Sequence, residues 1–215
     1  MEQTFNDLCR ERAEERKGLF GLAVWVFIET SSGIIGENMT TLGIQNRNIL
    51  RIAIGTGLLL MVPLVAMQLT EDVVWGPLDF LTAFGLLFGT GASFELLRRR
   101  GGMAYRLAAG IGLAASLLLV WANLAVGIIG DEGNPENLLF FAVPLVGIIG
   151  AAIAHFQAQG MARTLFVMAI THVLATAIAV AMSRFELREI MLNGIFTALF
   201  VASALLFRRA AQNSD

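Results

Sequence analysis

Apolar residues are collected into long runs along most of the chain. From residue 49 onward, six such runs alternate with short polar stretches. A helix rises 1.5 Å per residue, so about 20 residues are enough to cross the roughly 30 Å of hydrocarbon in a bilayer. The pattern predicts six membrane-spanning helices, at Ile49–Gln68, Val73–Leu97, Met103–Gly130, Pro135–Gln157, Met161–Met182 and Arg188–Phe207.

The connections between these runs are short, among them "LTED", "RRRGG" and "AQG". Short connections place consecutive helices side by side in opposite directions. The sequence therefore predicts an all-α polytopic membrane protein, an antiparallel bundle of six transmembrane helices. The fourth helix has a well-marked start, because Asn134 can cap its free amides, Pro135 suits the first helical position and Glu136 suits the positive end of the helix dipole.

Basic residues predict the orientation of the bundle, because cytoplasmic loops carry an excess of Arg and Lys. If the first span starts in the cytoplasm, the inner side receives Arg47, Arg51, Arg98, Arg99, Arg100, Arg106, Arg163, Arg208 and Arg209. The opposite side then carries Arg184 and Arg188 together with Glu71, Asp72, Asp131, Glu132 and Glu136. We expect the acidic "DEGNPEN" loop outside and a cytoplasmic C-terminus.

The N-terminal residues have a different pattern. Thr4 followed by Asp7 is a capping-box signal, and apolar positions then recur at helical spacing beside a dense charged face. A further apolar run at residues 18–35 contains Glu29. Spanning would bury that charge and would send the basic residues outward, so we favour an amphipathic, interfacial helix over a seventh span. The predicted organisation is an N-terminal segment 1–46, a bundle 47–209 and a tail 210–215.

Composition narrows the possible chemistry. Hydrophobic residues make up 56% of the chain and charged residues 15%, against roughly 25% charged in soluble proteins. With two histidines and Cys9 as the single cysteine, no Cys/His metal site of usual spacing is expected. No nucleophile–base or carboxylate pair is evident either. We therefore expect no enzyme activity, no cofactor and no nucleic-acid partner; the lipid bilayer is the first expected partner.

Polar residues in the outer half of several spans form the candidate site. Asp79, Asn123 and Asn193 each fall roughly 8–9 Å below the outer surface by helical rise. Pro63 lies at about 8 Å and Pro144 at roughly 13 Å in the same outer half. His172 lies nearer the middle of the fifth span. Ionisable groups inside a membrane are usually functional. The alternative is that the asparagines join helices and Asp79 faces headgroup water.

Small residues at spacings of four suggest close helix packing. Gly85 and Gly89 form such a pair in the second span, and Gly147 with Ala151 forms another in the fourth. Small-xxx-small faces let helices approach in lipid. Packing within the chain is the favoured interpretation; association with a second copy or with another membrane protein is the alternative.

Two short sequences, VGIIG and VPLV, each occur twice in the chain. The pentapeptide VGIIG occurs at Val126–Gly130 and Val146–Gly150, but the two copies lie at different depths in helices of opposite direction. "VPLV" occurs in the first and fourth spans, both times in the outer half, whereas an inverted repeat would place the copies on opposite sides of the midplane. Both likenesses are interpreted as compositional. A salt bridge from Glu95 to Arg106 is also expected across the hairpin that contains "RRR".

Several fragments together resemble an uncharacterised family of bacterial multi-pass inner-membrane proteins. They are "NILRIAIGTGLLLMVPLVAMQ", "FGLLFGTG", "LLVWANLAVGIIG", "GNPENLLFF", "VGIIGAAIAHFQAQGMARTLF" and "LNGIFTALFVASALLFRRA", within residues 47–209. The resemblance implies a bacterial inner-membrane location and no specific activity. Residues 4–36 are similar to the membrane-skimming prefix helices of some bacterial permeases, which implies association with a larger membrane system.

Three classes of function compete. A membrane enzyme is disfavoured for the reasons above. A small-solute or proton-coupled ion carrier would use Asp79 and His172 as protonatable groups, with Asn123 and Asn193 shaping a polar site in the outer-leaflet half. A non-catalytic accessory, sensory or interaction protein would use the small-residue helix faces and the N-terminal helix. The sequence favours the last.

Overall fold

A computed structural model of the chain describes residues 44–70, 74–129, 134–182 and 187–213. The interfacial helix predicted for residues 2–36 lies outside these ranges. The chain divides into two compact units, Met1–Gly55 and Thr56–Asp215. The described part of the first unit is the beginning of one helix, which runs on into the second. The predicted domain limits at residues 46 and 209 stay predictions.

The described residues are helical and contain no strand, which confirms the all-α class. The helices are α1 (Ile44–Leu69), α2 (Pro77–Leu97), α3 (Met103–Ala125), α4 (Ala142–Ile153), α5 (Ala158–Met182) and α6 (Leu187–Gln212), with a 3-10 helix at Pro135–Phe141 before α4. Counting the 3-10 helix with α4, six segments in the part of the chain that the structure describes are long and apolar enough to cross a bilayer. The chain is a multi-pass membrane protein.

The third helix is shorter than the sequence predicts. It ends at Ala125 rather than Gly130, because Gly127 adopts a φ of 78° and donates its N–H to the carbonyl of Ala122 over 3.0 Å. Glycine takes this left-handed conformation without steric cost and commonly ends helices. Residues 126–129 of the first VGIIG copy therefore lie beyond the helix, and the second copy lies within α4.

The fourth span also differs from its predicted form. Asn134 does cap it, with its side chain accepting from the Glu136 N–H over 3.0 Å. The first seven residues, however, form a 3-10 helix, so Pro144 falls in the first turn of α4, where a missing N–H is tolerated. The α-helix ends at Ile153 instead of Gln157, and α5 begins at Ala158 instead of Met161.

The core of the second unit lies between α3, α5 and α6. Small residues are fully buried there on all three helices, including Ala108 on α3, Ala179 on α5 and Ala204 on α6. Ser203 of α6 donates to the carbonyl of Ala108 on α3 over 2.7 Å. Without a hydrophobic drive inside lipid, such close approach supplies the van der Waals contact and hydrogen bonding that hold helices together. α2 packs against α3, and α4 packs mainly against α5.

The two ends of the bundle are chemically different. One common cavity is lined by the connection between α2 and α3, the start of α3, the turn between α4 and α5 and the end of α6. Because Arg98–Arg100 and Arg208–Arg209 lie there, we call it the arginine-rich end. The turn after α3 and the 3-10 helix lie at the opposite end.

Candidate functional site

Asp79 lies at the surface near the start of α2. Its carboxylate accepts from the Gly76 N–H over 2.7 Å, and Pro77 occupies the first helical position. A carboxylate three residues into a helix compensates the free amides and the positive end of the dipole. Asp79 also borders a small crevice beside Trp75 and Trp121, whose ring centroids are 5.9 Å apart. The hydrogen bond from Gly76 shows that Asp79 caps its own helix.

Asn123 is buried in a node that joins α3 to the 3-10 helix. Its side-chain N–H donates to the carbonyl of Asn137 over 2.8 Å. The Asn137 side chain in turn accepts from the N–H groups of Ile128 and Ile129, over 3.0 and 2.9 Å. These bonds satisfy backbone groups that the early end of α3 leaves without helical partners.

His172 is fully buried in the middle of α5 and contacts α6. Its Nε2 lies 3.2 Å from the carbonyl oxygen of Asn193, to which a ring nitrogen can only donate. The rings of Phe140, Phe196 and Phe200 surround it at centroid distances of 5.5–6.1 Å. The site is an aromatic cage closed on one side by a backbone carbonyl.

Asn193 and a threonine extend this second node. The Asn193 side chain donates to the carbonyl of Glu189 in its own helix over 2.8 Å. Thr176 donates to the carbonyl of His172 over 2.9 Å and reaches the Asn193 side-chain oxygen at 3.4 Å. Two helices are thereby joined by polar bonds in a layer where lipid offers none.

The structure therefore brings some of the candidate residues together and separates others. His172 and Asn193 share one node, and Asn123 pairs with Asn137, which the sequence analysis did not select. No hydrogen bond or ion pair within the described ranges joins Asp79 to the other three. The signal for Asn137 was available: a second asparagine three residues after the capping Asn134, inside an apolar run.

Two buried polar atoms have no hydrogen-bond partner among the described residues. They are the side-chain oxygen of Asn123 and Nδ1 of His172. Each is an acceptor when the other polar atom of its side chain donates to a carbonyl. An unsatisfied buried acceptor costs roughly 1–3 kcal/mol, so these two atoms mark the least satisfied positions in the polar layer.

The three selected glycines have different surroundings. A Cβ on Gly147 would lie 2.8 Å from the Met168 sulfur, so α4 and α5 approach closely there. A Cβ on Gly85 or Gly89 would meet nothing within 4 Å. Instead of packing on a described helix, these two glycines line an open cleft. A role for them in association stays a prediction.

The cleft lies between α2 on one side and α4 on the other, with α3 and α5 behind it. Its volume is about 530 Å³, within the roughly 300–1,000 Å³ of ligand pockets. The lining is almost entirely apolar or small, including Gly85, Leu86, Gly112, Ile148 and Ala151. We call this recess the lateral cleft.

A second cavity, of about 860 Å³, lies at the arginine-rich end. Arg100, Arg208 and His155 line it together with the amides of Gln157 and Gln159. None of its described lining residues is acidic. Phe156 lines both this cavity and the lateral cleft, so the two recesses meet at one side chain. We call it the basic cavity.

The turn that carries Phe156 is held in an unusual conformation. His155 and Phe156 have φ values of 48° and 59°, a region that costs non-glycine residues about 1–2 kcal/mol each. Arg100 donates to the carbonyl of His155 over 3.2 Å, and the Tyr105 hydroxyl donates to the carbonyl of Phe156 over 2.7 Å. The Arg100 guanidinium also lies 5.1 Å from the Phe156 ring centroid. These contacts fix the turn against the α2–α3 connection.

The neighbouring arginines are engaged elsewhere, and one expected ion pair is not formed. Glu95 pairs with Arg98 and Arg99 on its own helix instead of with Arg106. Residues three and four apart on a helix are adjacent, so these partners are closer than one across the connection. The hydrogen bond to Glu95 raises the pKa of Arg98 above its usual value. Arg106 donates to the carbonyls of Arg98 and Gly101.

Within the described ranges, no group of three or more His, Cys, Asp or Glu side chains is placed to hold a metal ion. Comparison with protein-family models, with curated protein sequences and with solved structures finds no match for the chain. The resemblance to bacterial inner-membrane proteins and to permease prefix helices therefore stays a prediction from the fragments themselves.

Proposed function

We propose that this protein is a non-catalytic integral membrane protein that acts by binding within the bilayer, in an accessory, sensory or interaction role. The observation that carries the proposal is the lateral cleft. It is open and apolar, and it is lined by small residues from three helices, Gly85 and Gly89 on α2, Gly112 on α3, and Gly147 and Ala151 on α4. Such a surface suits contact with an acyl chain or another helix rather than with a polar solute.

The arrangement of the polar residues supports the same proposal. Asn123, His172 and Asn193 are at most 4% exposed and donate to backbone carbonyls inside the bundle. Asp79 caps its own helix at the surface. A carrier needs polar groups that converge on a space which water and solute can enter. These four residues instead serve three local contacts, of which His172 and Asn193 share one.

The proposed location is the inner membrane of a bacterium, with the arginine-rich end and the C-terminus in the cytoplasm. The distribution of arginine supports this orientation by the positive-inside rule. The fragments quoted above support the bacterial origin.

A complementation experiment tests the role of the cleft. Gly89→Phe places a large side chain into the cleft, and Gly194→Phe makes the same change at an exposed helical glycine on α6 that does not line it. A Cβ meets nothing within 4 Å at either position, so both variants are expected to fold. We expect Gly89→Phe to lose the fitness that the wild-type chain restores to a deletion strain, and Gly194→Phe to retain it.

The candidate polar residues supply the opposite arm of that experiment. Asp79→Asn and His172→Ala should restore the same fitness as the wild-type chain. Loss of fitness in these two variants, with Gly89→Phe fully active, would refute the binding role.

A carrier function is the second candidate, and one observation favours it. The unpartnered oxygen of Asn123 and Nδ1 of His172 are acceptors buried in the layer where a coupling proton would bind. Proteoliposomes that contain a pH-sensitive dye and the purified chain test this. Proton flux that disappears in His172→Ala would establish the carrier, and flux equal to that of protein-free liposomes would reject it.

A further inference from the structure

We infer that the lateral cleft and the basic cavity together form one binding site for an anionic phospholipid. One acyl chain would lie in the cleft, the phosphate would lie in the basic cavity, and Phe156 would mark the boundary between them. The inference rests on the proposed binding function and names the occupant of the same cleft.

Two of the four hydroxyl side chains that line the lateral cleft are bonded within their own helices. Ser116 donates to the carbonyl of Gly112 over 2.8 Å, and Thr164 donates to the carbonyl of Gly160 over 3.1 Å. Both side chains are thereby satisfied within their own helices. The rest of the lining is mostly apolar or small, which suits an acyl chain. A helix partner could fill the same space, but it would leave the basic cavity unexplained.

The polar half of the site selects the charge of the occupant. Arg100 and Arg208 contribute two cations, and none of the described lining residues is acidic. A guanidinium has five N–H donors in a fixed fork that matches phosphate oxygens. Arg100 uses one donor on the carbonyl of His155, which orients the group without consuming it. Basic pockets beside transmembrane helices are the places where anionic headgroups bind.

Charge pairing along the chain separates this cavity from the rest of the arginine-rich end. Arg98 and Arg99 share the single carboxylate of Glu95 and do not line the cavity. Arg100, the next residue, has turned from that carboxylate toward the turn between α4 and α5. The positive charge is therefore directed at the place where the apolar cleft ends.

The strained turn joins the two halves. Its conformation holds Phe156 between cavity and cleft, and hydrogen bonds from Arg100 and Tyr105 fix both of its carbonyls. A phospholipid has the same order of parts, with charge at one end and hydrocarbon directly below it. The site has the same order, because the basic cavity and the apolar cleft adjoin at the Phe156 side chain.

The test measures thermal unfolding of the purified full-length chain in a neutral detergent with increasing palmitoyl-oleoyl phosphatidylglycerol. We expect a saturable rise in Tm. Palmitoyl-oleoyl phosphatidylcholine, with the same chains and no net charge, and inorganic phosphate, with the charge and no chain, should give little or no rise. Equal stabilisation by phosphatidylcholine would overturn the inference, and equal stabilisation by phosphate would reduce the site to one for free anions.

Matched variants locate the effect. Arg100→Gln with Arg208→Gln removes two charges that line the cavity, whereas Arg163→Gln with Arg209→Gln removes two exposed charges that do not. We expect the first pair to weaken the apparent affinity for phosphatidylglycerol on the order of tenfold or more, and the second pair to leave it near the wild-type value. Equal weakening by both pairs would show a general surface attraction and contradict the site.

The cleft has its own pair of variants. Gly89→Phe should abolish the saturable rise in Tm, and Gly194→Phe should retain it. A phosphatidylglycerol with a photoactivatable group at the chain terminus should label peptides that contain Leu86 or Ile148. A separate cross-link between side chains of the cleft and another part of this chain, or a second copy of it, would assign a protein segment as the occupant. That result would refute the lipid. In that case the lipid inference would fail, but the proposed binding function would stand. Proton flux that depends on His172 would have the opposite effect: it would refute the proposed function and leave lipid binding untouched.

Discussion

The Asn137 side chain has an unusually large structural task for one residue. Its oxygen accepts from two backbone N–H groups that follow α3. The backbone carbonyl of the same residue accepts from the Asn123 side chain. Asn137 is 4% exposed, so water cannot replace these bonds when the amide is removed. The turn after α3 consequently depends on a side chain from the 3-10 helix.

We predict that Asn137→Ala strongly destabilises the protein. The N–H groups of Ile128 and Ile129 would lose their acceptor, at roughly 1–3 kcal/mol for each buried donor. Leu138→Ala is the control, because Leu138 is 68% exposed and its loss should cost at most about 0.5 kcal/mol. Thermal unfolding in detergent measures both, and similar losses in the two variants would contradict the assigned role.

The turn at His155 permits a second test at one residue. His155 has a φ of 48°, so glycine there would relieve about 1–2 kcal/mol of strain and lose part of it to greater freedom in the unfolded chain. Because the relief of strain and the greater freedom of the unfolded chain oppose each other, we predict that His155→Gly changes the free energy of unfolding by less than about 0.5 kcal/mol.

The control for that substitution is Ala177→Gly, at an exposed helical position of α5. It should cost about 1 kcal/mol, the usual difference between alanine and glycine in a helix. Comparable destabilisation by His155→Gly would mean that the left-handed conformation stores no strain. Both variants are read from the same unfolding measurement.

At the scale of single residues, the sequence indicated which side chains are polar and buried but not what they bond to. Helical rise predicts a similar depth for Asn123 and Asn193, and the structure shows that both are buried within the protein. The partner of Asn123 depends on where α3 stops, and that end is set by the left-handed conformation of Gly127. The apolar run continues through Gly127 without a polar residue, so the sequence predicts helix where the structure has a turn.

Glycines with the same spacing have different roles because the neighbouring helix decides what each one faces. Gly150 and Gly147 meet side chains of α5, whereas Gly85 faces the lateral cleft. A small-xxx-small pattern identifies a face on which close approach is possible. It does not identify whether another helix occupies that face.

We predict an order of stability for three glycine-to-alanine variants. Gly150→Ala should be least stable, because its Cβ would lie 2.5 Å from a methyl of Thr164, a short β-branched side chain with little freedom to move. Overpacking of this kind costs about 1–3 kcal/mol. Gly147→Ala should lose less, because the flexible Met168 can shift its sulfur.

Gly85→Ala completes the series and should be at least as stable as the wild type. Its Cβ meets nothing within 4 Å, and alanine is favoured over glycine in a helix by up to about 1 kcal/mol. Unfolding temperatures in detergent test the order. A large loss in Gly85→Ala would indicate that another surface packs on α2 at this position.

At the scale of the whole molecule, composition and run length were sufficient for the six spans. Their ends were not, because caps and turns involve few residues and bond to distant parts of the chain. The two recesses could not be predicted at all: each requires side chains from several helices whose relative placement no local pattern encodes. From the sequence, the arginines predict only the orientation of the bundle. The structure shows that Arg98 and Arg99 pair with Glu95, whereas Arg100 donates to the carbonyl of His155.

The side of the membrane on which the N-terminus lies distinguishes the two predicted arrangements of residues 1–43. An interfacial N-terminal helix leaves Cys9 on the same side as the arginine-rich end, whereas a seventh span at residues 18–35 would place Cys9 on the opposite side. The positive-inside rule favours the first, because Arg10, Arg12, Arg16 and Lys17 flank that run. Since Cys9 is the single cysteine, the wild-type chain itself is the reporter.

We predict that a membrane-impermeant maleimide does not label the wild-type chain in intact bacterial spheroplasts and does label it after permeabilisation. Glu132→Cys in a Cys9→Ser background is the control for the opposite side, since the acidic loop should react in intact spheroplasts. Labelling of both variants after denaturation in detergent shows that each thiol is chemically competent. Reaction of wild-type Cys9 in intact spheroplasts, with Glu132→Cys also reactive, would establish the seventh span; reaction of Cys9 alone would invert the whole bundle and place the basic cavity outside the cytoplasm.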